Sequence, residues 1–233
     1  MGASLRLGRV FGIPIEINVS WVLVFLLLTY LLAEQFDDVR LRWPVAQRWV
    51  VAMATVVLFF LSVLAHELSH SVMALSKGIP VRGITLFIFG GVSRLDREPR
   101  RPITEFMVAL VGPLTSVALA VLFGAVWFLL GRGDSPVEVI LLLLAWSNLS
   151  LGLFNLVPGY PLDGGRLLRA GIWGITGNHH KATRIAAGMG QGVGAAMVLG
   201  GVSLAVFSEP VDGVWLGVVG LFLISMARSS FPE

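Results

Sequence analysis

The chain has 233 residues, 56% hydrophobic and only 13% charged, with a mean hydropathy of +0.84. Soluble domains carry about 25% charged residues, so the composition excludes a soluble globular protein and describes one that crosses a membrane several times. The net charge of +3 comes from basic residues beside apolar segments, with no aromatic-interleaved soluble face to bind nucleic acid, and the absence of cysteine excludes disulfides and leaves a zinc site only His, Asp or Glu.

The start, Met1 to Trp21, has two arginines followed by a Pro-containing alternating stretch. It lacks the compact apolar core of a cleavable signal peptide. Leu5 to Asn18 alternates apolar and polar residues around Gly12 and Pro14 and reads as a short strand or an amphipathic lead-in at the membrane surface. Spans are expected at about 19–33, 50–76, 103–130, 137–157, 183–207 and 211–227, the first of them near the lower length limit for crossing. Between the first two lies a polar loop from Glu34 to Arg48, with Trp43 and Trp49 at interface depth.

Lys77-Gly78-Ile79-Pro80 stops the second span. Val81 to Ser93 is rich in β-branched and aromatic residues, with Gly90-Gly91 inside it, and reads as a β-hairpin too short to cross as a helix. Gly112-Pro113 predicts a local kink in the third span. Pro158 to Gly177 reads as a Pro/Gly-rich turn and a short helix, and the fifth span carries glycines at 188, 190, 192, 194, 200 and 201. Such glycines signal close helix packing or a movable span. The expected fold class is an all-α polytopic membrane protein: six transmembrane helices with a short membrane-associated β-hairpin or sheet, as a single domain over 1–233.

Charge distribution orients this layout. With the N-terminus in the cytosol, 13 of the Lys and Arg residues fall on the cytosolic side and four (Arg40, Arg42, Arg48 and Arg132) on the other. The positive-inside rule then places both termini in the cytosol, and with them the C-terminal end of the second span.

That end carries His66-Glu67-Leu68-Ser69-His70. On a helix, residues four apart share a face, so two imidazoles can hold one zinc, with Glu67 beside them as a general base. Ionisable residues at membrane depth are costly and mark function by default; the alternative is a buried, hydrogen-bonded His pair. After the fourth span, Asn155-Leu156-Val157-Pro158-Gly159-Tyr160-Pro161-Leu162-Asp163-Gly164-Gly165-Arg166 returns on the same membrane face. Asp163 suits a third zinc ligand that leaves the fourth position open, or an N-cap of the short helix. His179-His180 beside Lys181 reads as a solvated pair, with a second metal site as the minor alternative.

H-E-x-x-H on an early span with N-x-x-P-x-x-P-L-D-G-G after a later one resembles the site-2 protease family of intramembrane zinc metalloproteases. Gly12-Ile13-Pro14-Ile15 and the Gly90-Gly91 hairpin resemble its prokaryotic branch. The likeness covers essentially the whole chain and includes neither a PDZ-like insertion nor a pair of CBS domains. It implies one Zn2+ per chain on His66, His70 and Asp163, with Glu67 as the catalytic base that activates water. It also implies a substrate or oxyanion role for Asn155, which could equally bond backbone at its helix end.

The implied reaction is hydrolysis within the transmembrane segment of a single-pass membrane protein, in the lipid bilayer of the cell membrane. Such a segment must unwind. The hairpin, with Ile84, Leu86 and Ile88, either pairs with the extended substrate or is a structural element dipping into the membrane. A silent zinc-containing scaffold has no need of Glu67, and a transporter would be expected to show an internal repeat, which the His motif lacks. No oligomeric state follows from the sequence.

Overall fold

The structure is a computed structural model that describes residues 4–38, 43–88 and 90–230. Arg40 and Arg42 of the charge count, and Phe89 of the hairpin, lie outside the described residues. In chain order the elements are β1 (Ser4–Val10), β2 (Ile13–Asn18), α1 (Val19–Asp38), α2 (Val45–Ser76), β3 (Val81–Phe87), β4 (Gly90–Leu95), α3 (Pro102–Leu130), α4 (Pro136–Asn155), α5 (Asp163–Thr176), α6 (His179–Phe207) and α7 (Pro210–Ser229). Six of these helices, all but α5, are long and apolar enough to cross a membrane, as the composition required. The chain is a multi-pass membrane protein. It divides into two compact units, residues 1–98 with 114–152, and residues 99–113 with 153–233.

The first unit is built on α2 and a small sheet. The 32 residues of α2 make a rod about 48 Å long, well beyond the roughly 30 Å of a bilayer's hydrocarbon core. It begins five residues before the expected span, directly after Pro44, which blocks earlier helix without removing a needed donor. It ends at Lys77, where Gly78 (φ +72°) turns the chain away. Ala33, Phe36, Val51 and Ala52 form one apolar cluster between α1 and α2; Val24, Val56 and Phe60 form another.

The sheet has the order β1-β2-β3-β4. Phe11 and Gly12, both at positive φ, make the two-residue turn that returns β1 onto β2 with Val10 opposite Ile13. β2 then pairs parallel with β3, Ile15 opposite Ile84, and β3 antiparallel with β4, Ile84 opposite Ser93. Both expected strand regions are therefore present. What local pattern could not reveal is that they join into one sheet, since a parallel pairing across some 70 residues leaves no mark on either segment. Ile13, Ile15 and Ile84 are buried against Leu64 and Leu68 of α2, which seats the sheet on the helix at the level of the His-Glu motif.

In the second unit, α6 and α7 lie back to back along glycines. A methyl on Gly194 would sit 2.7 Å from the carbonyl oxygen of Gly220, and one on Gly201 would sit 2.6 Å from that of Gly213. The glycine-rich helix is thus closely packed on α7. Helix α3 runs unbroken through the buried Pro113.

Candidate metal centre

His66 and His70 are 2% and 3% exposed. His66 lies ten residues before the end of α2, about 15 Å along the helix from its last residue. The one-turn spacing turns both rings to the same side, with Nε2 of His66 and Nε2 of His70 3.1 Å apart. Two nitrogens bound tetrahedrally at 2.0–2.1 Å to zinc stand about 3.3 Å apart, so the pair is already close to the ligating geometry. The other nitrogen of His66, Nδ1, lies 2.9 Å from Oγ of Ser116, a fully buried residue of α3. A hydroxyl there accepts Nδ1–H and leaves the Nε2 lone pair for a metal.

Glu67 is half-buried on the neighbouring strip of α2, against the sheet. Its Oε2 accepts the main-chain N–H of Ser93 in β4 at 3.1 Å. Ser71, one turn on, donates to the carbonyl oxygen of Glu67 at 3.0 Å and shares a 2.7 Å hydrogen bond with the Ser93 hydroxyl. A second polar contact ties α2 to α4: the buried Asn148 donates through Nδ2 to Ser62 Oγ at 3.2 Å and to the Leu144 carbonyl at 2.9 Å.

The second unit presents Asp163, which is buried. It is the first residue of α5, and the cap position falls on Leu162 in extended conformation, with no side-chain cap bond. Asp163 places its Oδ1 3.9 Å from Arg166 Nη1, one turn on. The turn before it is compact because its glycines allow it. A Cβ on Gly164 would strike the carbonyl oxygens of Leu156 and Val157, and one on Gly165 the backbone of Gly159 and Tyr160. Tyr160 N–H donates to the Ala186 carbonyl of α6 at 3.0 Å, and Gly190 of α6 has no room for a Cβ against Tyr160.

Helix α5 is anchored by Arg169. Its Nε donates to Glu105 of α3 at 2.6 Å, its Nη2 makes a second ion pair with the same carboxylate, and its guanidinium lies 5.1 Å from the Tyr160 ring centroid. Glu105 is 0% exposed and Arg169 3%.

Sequence reasoning singled out His66, Glu67, His70, Asp163 and Asn155, but not Ser116, Ser93, Asn148 or the Glu105–Arg169 pair. The available signal was a carboxylate or amide inside an apolar span, as at Glu105 and Asn148. Asn155 is the last residue of α4 and half-buried. Of the hairpin residues, Ile84 and Leu86 are buried on β3, which is paired on both sides. Ile88, in the turn, packs on the Val24–Val56–Phe60 cluster and donates its N–H to Ser20 Oγ at 3.3 Å. His179 stacks edge-on against Trp173 at 4.7 Å in the first turn of α6.

His66 and His70, buried in the first unit, and Asp163, buried in the second, are of the residue types that bind zinc. H-E-x-x-H on one of six long apolar helices is the residue pattern of a membrane-embedded zinc metalloprotease. Residues 54–139 and 132–200 match the profile of peptidase family M50. The chain is 40% identical to sll0528 of Synechocystis sp., over 99% of this chain and 60% of that protein. It is 38% identical to Rip3 of Mycobacterium tuberculosis, over 98% of this chain and 58% of that protein. The solved structure of the site-2 protease from Methanocaldococcus jannaschii superposes with a TM-score of 0.69 at 31% identity, covering 99% of this chain and 96% of that one. The chain belongs to peptidase family M50, and it spans about 60% of the length of the curated relatives it matches.

Proposed function

We propose that this chain is the core of a zinc-dependent endopeptidase that cuts transmembrane segments of single-pass membrane proteins, with His66, His70 and Asp163 as ligands and Glu67 as general base. The observation that carries the reading is the pair of buried imidazoles whose Nε2 atoms converge to 3.1 Å on a helix long enough to span, with a carboxylate on the next residue. A zinc ion held there would polarise the scissile carbonyl and make water acidic enough to deprotonate near neutral pH. Glu67 takes the proton as water adds to the carbonyl carbon, then delivers it to the departing amide nitrogen as the C–N bond breaks. Ser116 keeps His66 in the ligating tautomer, and Asn155 donates to the substrate carbonyl.

The substrate is held extended along the hairpin. β4 is the sheet's outer strand on that side and offers the pairing edge, while Ile84, Leu86 and Ile88 back it from β3 and the turn. Both termini face the cytosol, and the active site lies nearer that side, as the distribution of Lys and Arg indicates. Residues 1–233 form one catalytic domain in this reading.

The test is a paired measurement on purified protein: bound zinc, and cleavage of a model transmembrane substrate, for the native chain and Glu67→Ala. The expected result is about one zinc per chain in both forms, with cleavage in the native form alone. Cleavage that persists in the variant, or a native chain that takes up no zinc, would overturn the reading.

A further inference from the structure

We infer that strand β4 is the positioning element of the catalytic base, and that Gly91 is glycine because Glu67 lies under it. This rests on the peptidase reading for what Glu67 does, but the contact itself stands on geometry.

The hairpin sequence G-G suggests turn glycines, yet the closing pair of the β3–β4 hairpin is Phe87 opposite Gly90. Both glycines thus belong to the strand, and Ile88 lies in the turn. Gly90 has a positive φ, but Gly91 does not, so backbone conformation does not require glycine at 91. Space does. A Cβ on Gly91 would lie 2.5 Å from Cγ and 3.2 Å from Cδ of Glu67, and 3.3 Å from Cδ2 of Leu86. The first of these is a collision with the middle of the Glu67 side chain, which its far end cannot relieve by swinging away.

Two residues on, Ser93 gives its main-chain N–H to Glu67 Oε2 at 3.1 Å. Ser93 stands opposite Ile84 of β3, and its N–H reaches the helix. Its hydroxyl meets Ser71 at 2.7 Å, and Ser71 holds the Glu67 carbonyl at 3.0 Å. The strand therefore grips α2 at both ends of one residue, the carboxylate and the main chain of Glu67. Gly91 supplies the gap in which the side chain runs, and Ser93 supplies the donor that fixes where the carboxylate ends. A general base works only within hydrogen-bond reach of the proton it takes, and a displacement of about 1 Å can lower the rate about 100-fold. The outer strand of the sheet and the base are one mechanical unit, although they are separated by 24 residues of chain.

The test is Gly91→Ala, made alone and with Glu67→Ala, in the full chain in detergent. For the single variant, kcat on a model transmembrane substrate should fall about 100-fold, with KM within about threefold of native and zinc content unchanged. Thermal unfolding gives a readout independent of activity. Gly91→Ala should lower Tm by about 4 °C beside Glu67, and by about 1 °C or less where Glu67→Ala has removed the colliding atoms. A single variant that fails to fold, beside a double variant that folds, carries the same meaning. Equal Tm shifts in both backgrounds, two variants that both fail to fold, a native kcat, or a loss carried by KM would overturn the inference. If the native chain cleaves nothing, the peptidase reading fails while the Tm comparison still decides the contact.

Discussion

Ser116→Ala should weaken zinc binding without touching a ligand. The serine hydroxyl stands 2.9 Å from His66 Nδ1 in a position with no exposure, so no water replaces it when the oxygen is removed. Outer partners of ligating histidines are worth about 10–100-fold in metal affinity, which is about 1.4–2.7 kcal/mol. An independent route gives the same size: a buried N–H left without an acceptor costs about 1–3 kcal/mol. The assay is zinc competition against a chelator of known affinity on detergent-purified protein, with Ser116→Thr as the variant that keeps a hydroxyl. The alanine variant should lose at least about tenfold and the threonine variant much less. Zinc affinity equal to native in Ser116→Ala would refute the reasoning, because His66 would then need no partner to hold its tautomer.

Three further outcomes follow from the same geometry. Glu105→Gln leaves Arg169 buried against a neutral amide and should destabilise the protein by about 3–5 kcal/mol, seen as a fall in Tm of roughly 10 °C; a Tm within 2 °C of native would exclude an anchoring role. Gly164→Ala drives a methyl into the carbonyls of Leu156 and Val157 and should abolish zinc retention on a chelating column, whereas Gly171→Ala, which meets nothing within 4 Å, should bind zinc as native. Asn155→Ala should lower kcat while leaving zinc content at the native level; a loss of zinc would show that Asn155 shapes the metal centre instead.

The His pair was legible in the sequence because its geometry depends on spacing within one helix. His66 and His70 share a face whatever surrounds them, and Asp163 was singled out by the Pro- and Gly-rich segment that carries it after the fourth span. The six spans were legible because the bilayer demands long apolar runs, and the true helices differ from the expected spans by a few residues at ends where caps and flanks decide. The sheet was only half visible. Its strands have local signatures, but the parallel pairing of Ile15 with Ile84 depends on both resting on Leu64 and Leu68, which no local pattern states. The supporting residues were hidden for the same reason. Ser116 looks like any small residue in an apolar helix until His66 is placed against it, and Gly91 looks like a turn residue until Glu67 is.

The most direct test of the central claim is where the cut falls. Native chain and Glu67→Ala, each loaded with zinc in lipid vesicles, would be given a single-pass substrate, and the fragments mapped by mass spectrometry. The cut should fall inside the substrate's apolar segment, made by the native chain and absent with Glu67→Ala. A cut confined to the substrate's soluble flanks, or the same fragments from both forms, would contradict it.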